Sequence, residues 1–589
     1  MSFEIENNDC LALCDITAID QSNYGKIFTP FLYKSLRDKD DISILEEDRN
    51  PSIFLKQYEY VGEIYNLTLK ILVENLNSHH QISYSSRQWE LIIGPWLRIY
   101  LESLYCRWDM LDLFIERGIR NIALCYRNDE AFSTIADNRN EYTTSKILDE
   151  TWNHITFSKI ALYRLSNLEN INIKKFEIAT PKNTPLFSKT PLEVFIHNFI
   201  KFPRVIVQIL LEKLSFIISK KNVIVINNPY LGLFNKILLA FSLKKNPVFY
   251  FNKILKVQKS VTAFNRSINF KYSQAKDEFH RFCLDNLINE IPSCYLENFS
   301  DLLKSTDDLS LPDAPDIIFT GSGVEVDEII RIYIAKNINK GSEYIISQHG
   351  GVYGTRLIPT KSEFYEHRVC DKWISWGWTD SKNSKIKRGL NIKEIGRKKT
   401  DFFKGKNILY ALPNITFISS RLMPLHPLKR IKQNKIIIQG LKEDILKDFL
   451  IRSHPNHIHE EYVKDIASGC AISSEKDFWT DLSNSKLFIT TNNSTTFLQS
   501  MVSNCPSILI LLDRQKDIRN ISQDIYNQLE RVNIVFRDMQ SAIRHINNVA
   551  KEPQEWWVSN EVQKVRKQFC ELHSRKSYKP INTLSKLFF

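Results

Sequence analysis

Two kinds of hydrophobic pattern divide the chain. In its first part apolar side chains recur three and four positions apart, as in RQWELIIGPWLRIYLESLYCRWDMLDLFIERG (87–118), the spacing of one helix face. Pro95 behind Gly94 predicts a break or a fresh start inside that stretch, because proline has no N–H to donate and crowds the preceding turn. RNIALCYR (120–127) then reads as a buried strand. Further on the grammar changes to short β-branched runs, each followed by turn residues and a helical segment. NVIVINNPY (222–230), NPVFYF (246–251), PDIIFTGSG (315–323), SEYIISQHGGVYG (342–354) and DKWISWGW (371–378) form one series. KNILYALP (406–413), FLIRSHP (449–455), GCAISSE (469–475), KLFITTNN (486–493), SILILLD (507–513) and VNIVFRD (532–538) form a second.

Strand, polar loop and helix in repetition predict parallel sheets wrapped by helices, so the expected fold class is α/β, with two Rossmann-like parallel-sheet halves and a helical N-terminal extension. The basic stretch IGRKKTDFFKGK (395–406) marks a linker around 392–405. The expected domains are 1–391, 406–550 and a C-terminal helix within 551–589 that packs back on the first half through Trp556 and Trp557. Residues 195–221 mix apolar runs with Lys and Arg. They read as a basic amphipathic helix on a membrane surface or, the preferred reading, as a buried helix with a solvated edge.

Length and composition add bounds. The 589 residues exceed what one core serves, and 43% hydrophobic with 25% charged residues is ordinary globular composition. A net charge of +12 favours an anionic partner. The cations are not gathered on a segment with stacking aromatics, so no nucleic acid is expected. Ten cysteines without a CxxC pair give neither a zinc pattern nor a redox motif. No metal and no cofactor are expected. The start MSFEIENNDCLALCD carries early acids and no long apolar core, and no run of 18 apolar residues follows, so a cytoplasmic location is expected.

Candidate chemistry gathers where strands should end. Open parallel sheets bind ligands at their carboxyl edges, where helix N-termini offer unpaired N–H groups to anions. KDFLIRSHP (447–455) stops on His454 and Pro455, and SKLFITTNNSTTFLQSM (485–501) stops on Asn493, Ser494, Thr495 and Thr496. SQHGGVYG (347–354) surrounds His349 and Tyr353 with Gly350, Gly351 and Gly354, which allow close backbone approach or positive φ. FTGSGVEVDEIIRIYIA (319–335) puts Glu325, Asp327 and Glu328 at a strand-to-helix junction. Those acids can act as a base or simply favour the helix start, and both readings stay open.

An HGG loop in the first half, with HP and Ser/Thr motifs in the second, resembles a GT-B glycosyltransferase. It is similar to bacterial enzymes that use CMP-activated acidic sugars, of the sialyl- and polysialyltransferase kind. More closely, the chain resembles a family of transferases from bacterial O-antigen and capsule clusters. The likeness runs through WELIIGPWLRIYLESLY (89–105), SQHGGVYG, ILYALP (408–413), SHP, TTNNSTTFLQSM (490–501) and WWVSNEVQKVRKQF (556–569). Capsule enzymes that transfer Kdo or pseudaminic acid look like its relatives. The resemblance implies a GT-B-like fold with an acceptor-side domain (1–391) and a nucleotide-sugar-binding domain (406–550). It implies a cytoplasmic glycosyltransferase of lipopolysaccharide or capsule synthesis that moves a nonulosonate or Kdo-type sugar.

The partners it implies are a nucleotide-sugar donor, CMP-sugar being favoured, and a glycan or lipid-linked glycan acceptor, with peripheral contact at the inner membrane face. Donor contacts fall on His454, Pro455, Asn493, Ser494, Thr495, Thr496 and Gln499. Gln499 stands where the family usually carries a glutamate. Gln348, Gly350, Gly351 and Tyr353 would line the cleft, and His349, Glu325 or Asp327 would deprotonate the acceptor. The competing expectations are a UDP- or GDP-sugar transferase or epimerase, and a non-catalytic scaffold in a polysaccharide assembly complex.

Overall fold

The computed structural model describes residues 6–14, 19–31, 42–44, 50–126, 135–165, 170–177, 206–219, 221–227, 229–252, 266, 270–414, 418, 422, 427–454, 460–467, 469–512 and 517–589. Three parallel sheets follow one another along the chain. The first joins β1 (Cys10–Leu13), β2 (Ile27–Thr29), β3 (Ile42–Ile44), β4 (Asn121–Tyr126) and β5 (Asn172–Glu177) in the order β3-β2-β1-β4-β5. The N-terminal extension is therefore α/β as well as helical. Its early strands are only three or four residues long, too short to register as a pattern.

The middle sheet holds β6 (Val223–Asn227), β7 (Asn246–Tyr250), β8 (Ile317–Thr320), β9 (Glu343–Ser347), β10 (Lys372–Ile374) and β11 (Ile386–Lys387), ordered β11-β10-β9-β8-β6-β7. The last holds β12 (Asn407–Ala411), β13 (Phe449–Arg452), β14 (Ala471–Ile472), β15 (Ser485–Thr490), β16 (Ser507–Ile510) and β17 (Val535–Phe536), ordered β14-β13-β12-β15-β16-β17. Counted within each sheet these orders are 2-1-3-4-5-6 and 3-2-1-4-5-6, the two common doubly wound arrangements. The chain reverses its direction of travel between β6 and β8 in one and between β12 and β15 in the other. Those switch points open the crevices in which such sheets receive ligands. This is the GT-B-like α/β arrangement expected from the sequence.

Long helices Pro51–His80 and Ser86–Glu116 pack together in the N-terminal layer. Pro95 neither starts nor breaks a helix, contrary to the sequence expectation; it lies inside Ser86–Glu116. The carbonyl it cannot serve belongs to Leu91, and the Tyr365 hydroxyl donates to that oxygen at 2.9 Å. Gly94 makes the approach possible, since a Cβ there would sit 3.3 Å from the Tyr365 ring and 2.6 Å from Tyr65 Oη.

The helix over 206–218 is exposed on its apolar side, contrary to the preferred reading of a buried element; residues 195–205 lie outside the described residues. Ile217 and Ile218 are 64% and 74% exposed, and Phe234 and Phe241 on the neighbouring helix Leu233–Ser242 are 70% and 67% exposed. The helix seals the edge of the middle sheet through polar groups instead. Ser215 Oγ accepts from Phe249 N at 3.2 Å and Glu212 Oε1 from Phe251 N at 2.8 Å. No helix among the described residues is long and apolar enough to cross a membrane.

At the C-terminus Asn560–His573 packs on helices Thr495–Val502 and Asn520–Arg531, and Trp556 and Trp557 donate to Val532 O and Asn504 of the last unit, not to the first half as expected. The chain then crosses to the middle sheet. Arg575 N donates to Trp376 O at 2.8 Å, and Leu584 and Phe588 join the core over β6 and β8.

Candidate functional site

The carboxyl edge of the middle sheet carries the first group of candidates. β9 ends at Ser347, so Gln348 and His349 emerge there, and Glu325 follows the adjacent β8. Behind them the helix Lys361–Val369, started by Thr360 accepting from Glu363 N, presents Glu366 inward, fully buried. His349 Nε2 lies 2.7 Å from Glu366 Oε1 and 2.7 Å from Tyr353 Oη. Trp373 Nε1 donates to the other carboxylate oxygen at 3.0 Å. With Nε2 donating to Glu366, Nδ1 is the nitrogen that carries the lone pair, and it has no hydrogen-bond partner among the described residues. Burial alone would lower the pKa of His349, but the Glu366 carboxylate outweighs it and raises the value above the ordinary 6.5. Burial raises the pKa of Glu366 in turn, with the imidazole opposing.

Glu325, His349 and Glu366 also bring one ligand atom each within 4.8 Å of one another, a donor set suited to a divalent cation. The His349–Glu366 hydrogen bond occupies two of the same three side chains. The cluster can handle a proton or hold a cation, and not both at once.

The remaining candidates of this half have structural duties. Asp327 is fully buried and caps the helix Glu328–Ile338, its Oδ1 accepting from Ile329 N and Ile330 N and its Oδ2 from Tyr250 Oη at 2.8 Å. Glu328 pairs with buried Arg331 at 2.9 Å. The structure therefore brings Glu325 alone of the three acids to His349. Gln348 braces the loop, its Nε2 donating to Gly350 O while its Oε1 accepts from Trp376 N and Trp378 Nε1. Positive φ falls on Gly354, not on Gly350 or Gly351. Gly351 is required for close approach, because a Cβ there would lie 2.4 Å from Thr495 N.

That approach joins the two halves. β15 ends at Thr490, Ser494 precedes the helix Thr495–Val502, and Gly351 N donates to Thr495 Oγ1 at 3.0 Å. Ser494 and Thr496 are half-buried, and Asn492 Nδ2 donates to Ser494 Oγ at 3.0 Å. Asn493 is committed to the core, accepting from Tyr526 Oη at 2.7 Å. Buried Gln499 lies beside Glu394 of the linker and favours its charged form. An acid at 499 would repel Glu394, which gives the amide a physical reason here. His454 stands exposed after β13, two strands from β15 in the same sheet, and Pro455 lies outside the described residues. Downstream of Gly351 the loop is stitched to the last unit. Arg519 N donates to Thr355 O at 2.9 Å, Ser522 Oγ to Gly354 O at 2.8 Å, and Arg519 Nη1 to Glu363 Oε1 at 2.6 Å.

Sequence reasoning missed Glu366, whose setting in KSEFYEHRV is that of any amphipathic helix; only its place between core residues Tyr365 and Val369 hints at burial. It also passed over Lys393, which sits in the linker with its ammonium 4.0 Å from the Tyr230 ring centroid.

Among solved structures, the spinosyn rhamnosyltransferase SpnG overlays with a TM-score of 0.31 and 10% identity, covering 62% of this chain and 99% of its own. SsfS6, a glycosyltransferase of Streptomyces sp. SF2575, gives 0.28 and 8% over 62% and 99%. CalG4, the calicheamicin glycosyltransferase, gives 0.29 and 10% over 59% and 93%. Overlays this loose carry no argument about fold or chemistry. No curated protein matches the chain. The profile of the LIC12162 family transferase matches residues 32–588, nearly the whole sequence and all the motifs above. The chain belongs to the LIC12162 family of transferases.

Proposed function

We propose that the chain is a glycosyltransferase that moves an acidic sugar, of nonulosonate or Kdo type, from a CMP-sugar to a surface-polysaccharide acceptor. One observation carries the reading. The Gly351–Thr495 hydrogen bond holds the His349 loop of the middle sheet against the helix start of the last sheet, so an unengaged imidazole nitrogen and a hydroxyl-rich helix N-terminus, chemistry suited to an anion, lie on one crevice.

In this reading residues 1–391 receive the acceptor, 406–550 the nucleotide sugar, and 551–589 strap the two together. His349 takes the acceptor hydroxyl proton on Nδ1 while Glu366 stabilises the imidazolium that results. The freed oxygen forms its bond to the anomeric carbon as the bond from that carbon to the nucleotide phosphate breaks. His454, Ser494 and Thr496 hold the phosphate as its charge grows, with Asn493 and Gln499 supporting from below. In this reading the His349–Glu366 pair handles a proton rather than a cation, so transfer is expected to persist in excess chelator, and its loss would assign a cation to the Glu325–His349–Glu366 cluster.

The test is a thermal-shift panel of CMP, UDP, GDP and TDP, followed by a transfer assay with His349→Ala. CMP raises the melting temperature if the reading holds. A response to UDP or GDP alone moves it to a transferase or epimerase of those donors, and no response to any nucleotide favours a scaffold.

Peripheral contact with the inner membrane face belongs to the same proposal. Support comes from the exposed apolar side chains of 206–218 and Leu233–Ser242, with Lys213, Lys221 and Lys244 exposed around them. Apolar insertion beside cations suits anionic lipid. Sedimentation with phosphatidylglycerol vesicles is expected, and its loss in Ile217→Asp with Phe241→Asp; equal sedimentation of that variant removes the surface from the proposal.

A further inference from the structure

The linker between the sheets folds over a crevice of about 410 Å³, lined by Lys393, Arg397, Lys398 and Thr400 and, across from them, by Trp479 and Ser483 of the helix Phe478–Ser483. Three of these side chains are cations and none is an acid. Arg397 is held in place, its guanidinium 3.7 Å from the Trp479 ring centroid and 3.7 Å from Glu394. Lys393 is held differently. Its ammonium lies over Tyr230 at 4.0 Å and near Trp376 at 5.9 Å, and no acidic side chain pairs with it among the described residues.

Tyr230 follows β6 and donates or accepts a hydrogen bond with Ser322, which follows β8, at 2.8 Å. Lys393 therefore stands at the switch point of the middle sheet, and it is close enough to His349 for its charge to oppose protonation of that imidazole. Burial pushes its own pKa down to about 8. A cation taken partly out of water, set on aromatic faces and given no counter-charge, carries a desolvation cost that an arriving anion would offset. The other charged groups at or near the crevice are Glu394, Arg397, Lys398, Asp477 and Lys576; Arg397 and Lys576 both face Glu394, and Asp477 lies close enough to act on Arg397.

We propose that this crevice is an anion subsite for the acceptor: Lys393, helped by Arg397 and Lys398, binds a compact anionic group, a sugar carboxylate or a phosphate, and thereby sets the acceptor hydroxyl beside His349. The proposal rests on the glycosyltransferase reading for its purpose, while the binding itself does not. Carboxylate and phosphate share the chemistry of a compact oxyanion, and the probes separate them.

Titration calorimetry of the full chain uses three probes: the methyl glycoside of N-acetylneuraminic acid, glycerol 3-phosphate and CMP. At least one of the first two is expected to bind without competing with CMP. Lys393→Met is expected to weaken it roughly 10- to 100-fold, the worth of a hydrogen bond to a charged group, with CMP affinity unchanged. Lys393→Arg, which keeps the charge, should retain most of the binding. Where Lys393→Met does not fold, the pair Lys393→Arg and Arg397→Gln decides, the first binding and the second weakened. Binding of neither anionic probe, competition with CMP, or a Lys393→Met chain that binds like the original overturns the subsite. Failure of CMP with intact anion binding would instead sink the donor reading and leave the subsite standing.

Discussion

His349 and Glu366 show how one residue of a site can be legible and its partner hidden. The histidine stood out because glycines at 350, 351 and 354 surround it, whereas the glutamate sits on a helix like many others and is recognised only by its hydrogen bonds. Asp327 looked equally chemical in sequence. A helix cap leaves the same trace as a base, and only the two N–H groups it accepts from tell them apart. If His349 is the base, His349→Ala lowers turnover by roughly 10²–10⁴ in a transfer assay, with CMP affinity near that of the unaltered chain. The pH dependence has a defined sign. Imidazole must be neutral to accept a proton, so kcat/KM rises as pH climbs through the pKa of His349. Glu366 lifts that pKa above 6.5, so the rise lies higher than for an ordinary histidine. Glu366→Gln removes the carboxylate and should move the rise to lower pH; an unmoved profile would detach the glutamate from the chemistry.

At the scale of elements, the eleven strand runs read from residue 222 onward all became strands, since each is a β-branched run closed by turn residues. Of the first sheet only β4 was legible, as RNIALCYR; runs such as Ile27–Thr29 are too short to show alternation, and β5, NIKKFE, is too polar to stand out. Pro95 escaped for another reason. A rule about hydrogen bonds lost within a helix cannot foresee a donor arriving from elsewhere in the chain. Tyr365→Phe removes that donor and leaves Leu91 O buried and unserved, which should cost about 1–3 kcal/mol of stability in urea denaturation. The Gly351–Thr495 approach gives a second test. Gly351→Val should abolish transfer and weaken CMP binding as well, because its side chain would lie where the backbone of Ser494 and Thr495 begins the helix assigned to the donor phosphate. A fully active Gly351→Val chain would make the loop an ordinary turn.

For the whole molecule, two sheets with their carboxyl edges toward one crevice could be foreseen from the order of motifs, and the stitching between them could not. Arg519 reaches Glu363 with side-chain exposures of 17% and 2%, a pair that no local pattern announces. Arg519→Met leaves the glutamate buried without its counter-charge, and a loss of about 3–5 kcal/mol is expected in chemical denaturation, with transfer falling in parallel. Glu363→Gln in the same background should recover part of that loss.

The link between Leu91 and Tyr365 also has a history inside every newly made chain. The two residues are 274 positions apart, so at about 5–20 residues per second the helix with Pro95 leaves the ribosome roughly 15–55 s before its missing donor exists. During that interval Trp89 and Tyr100 lack the later partners they meet in the finished protein, the Phe299 ring and the Cys283 carbonyl. Release of functional enzyme should therefore depend on a holdase at the ribosome more than its finished stability would suggest, and slowing translation between residues 120 and 360 should lower the soluble yield.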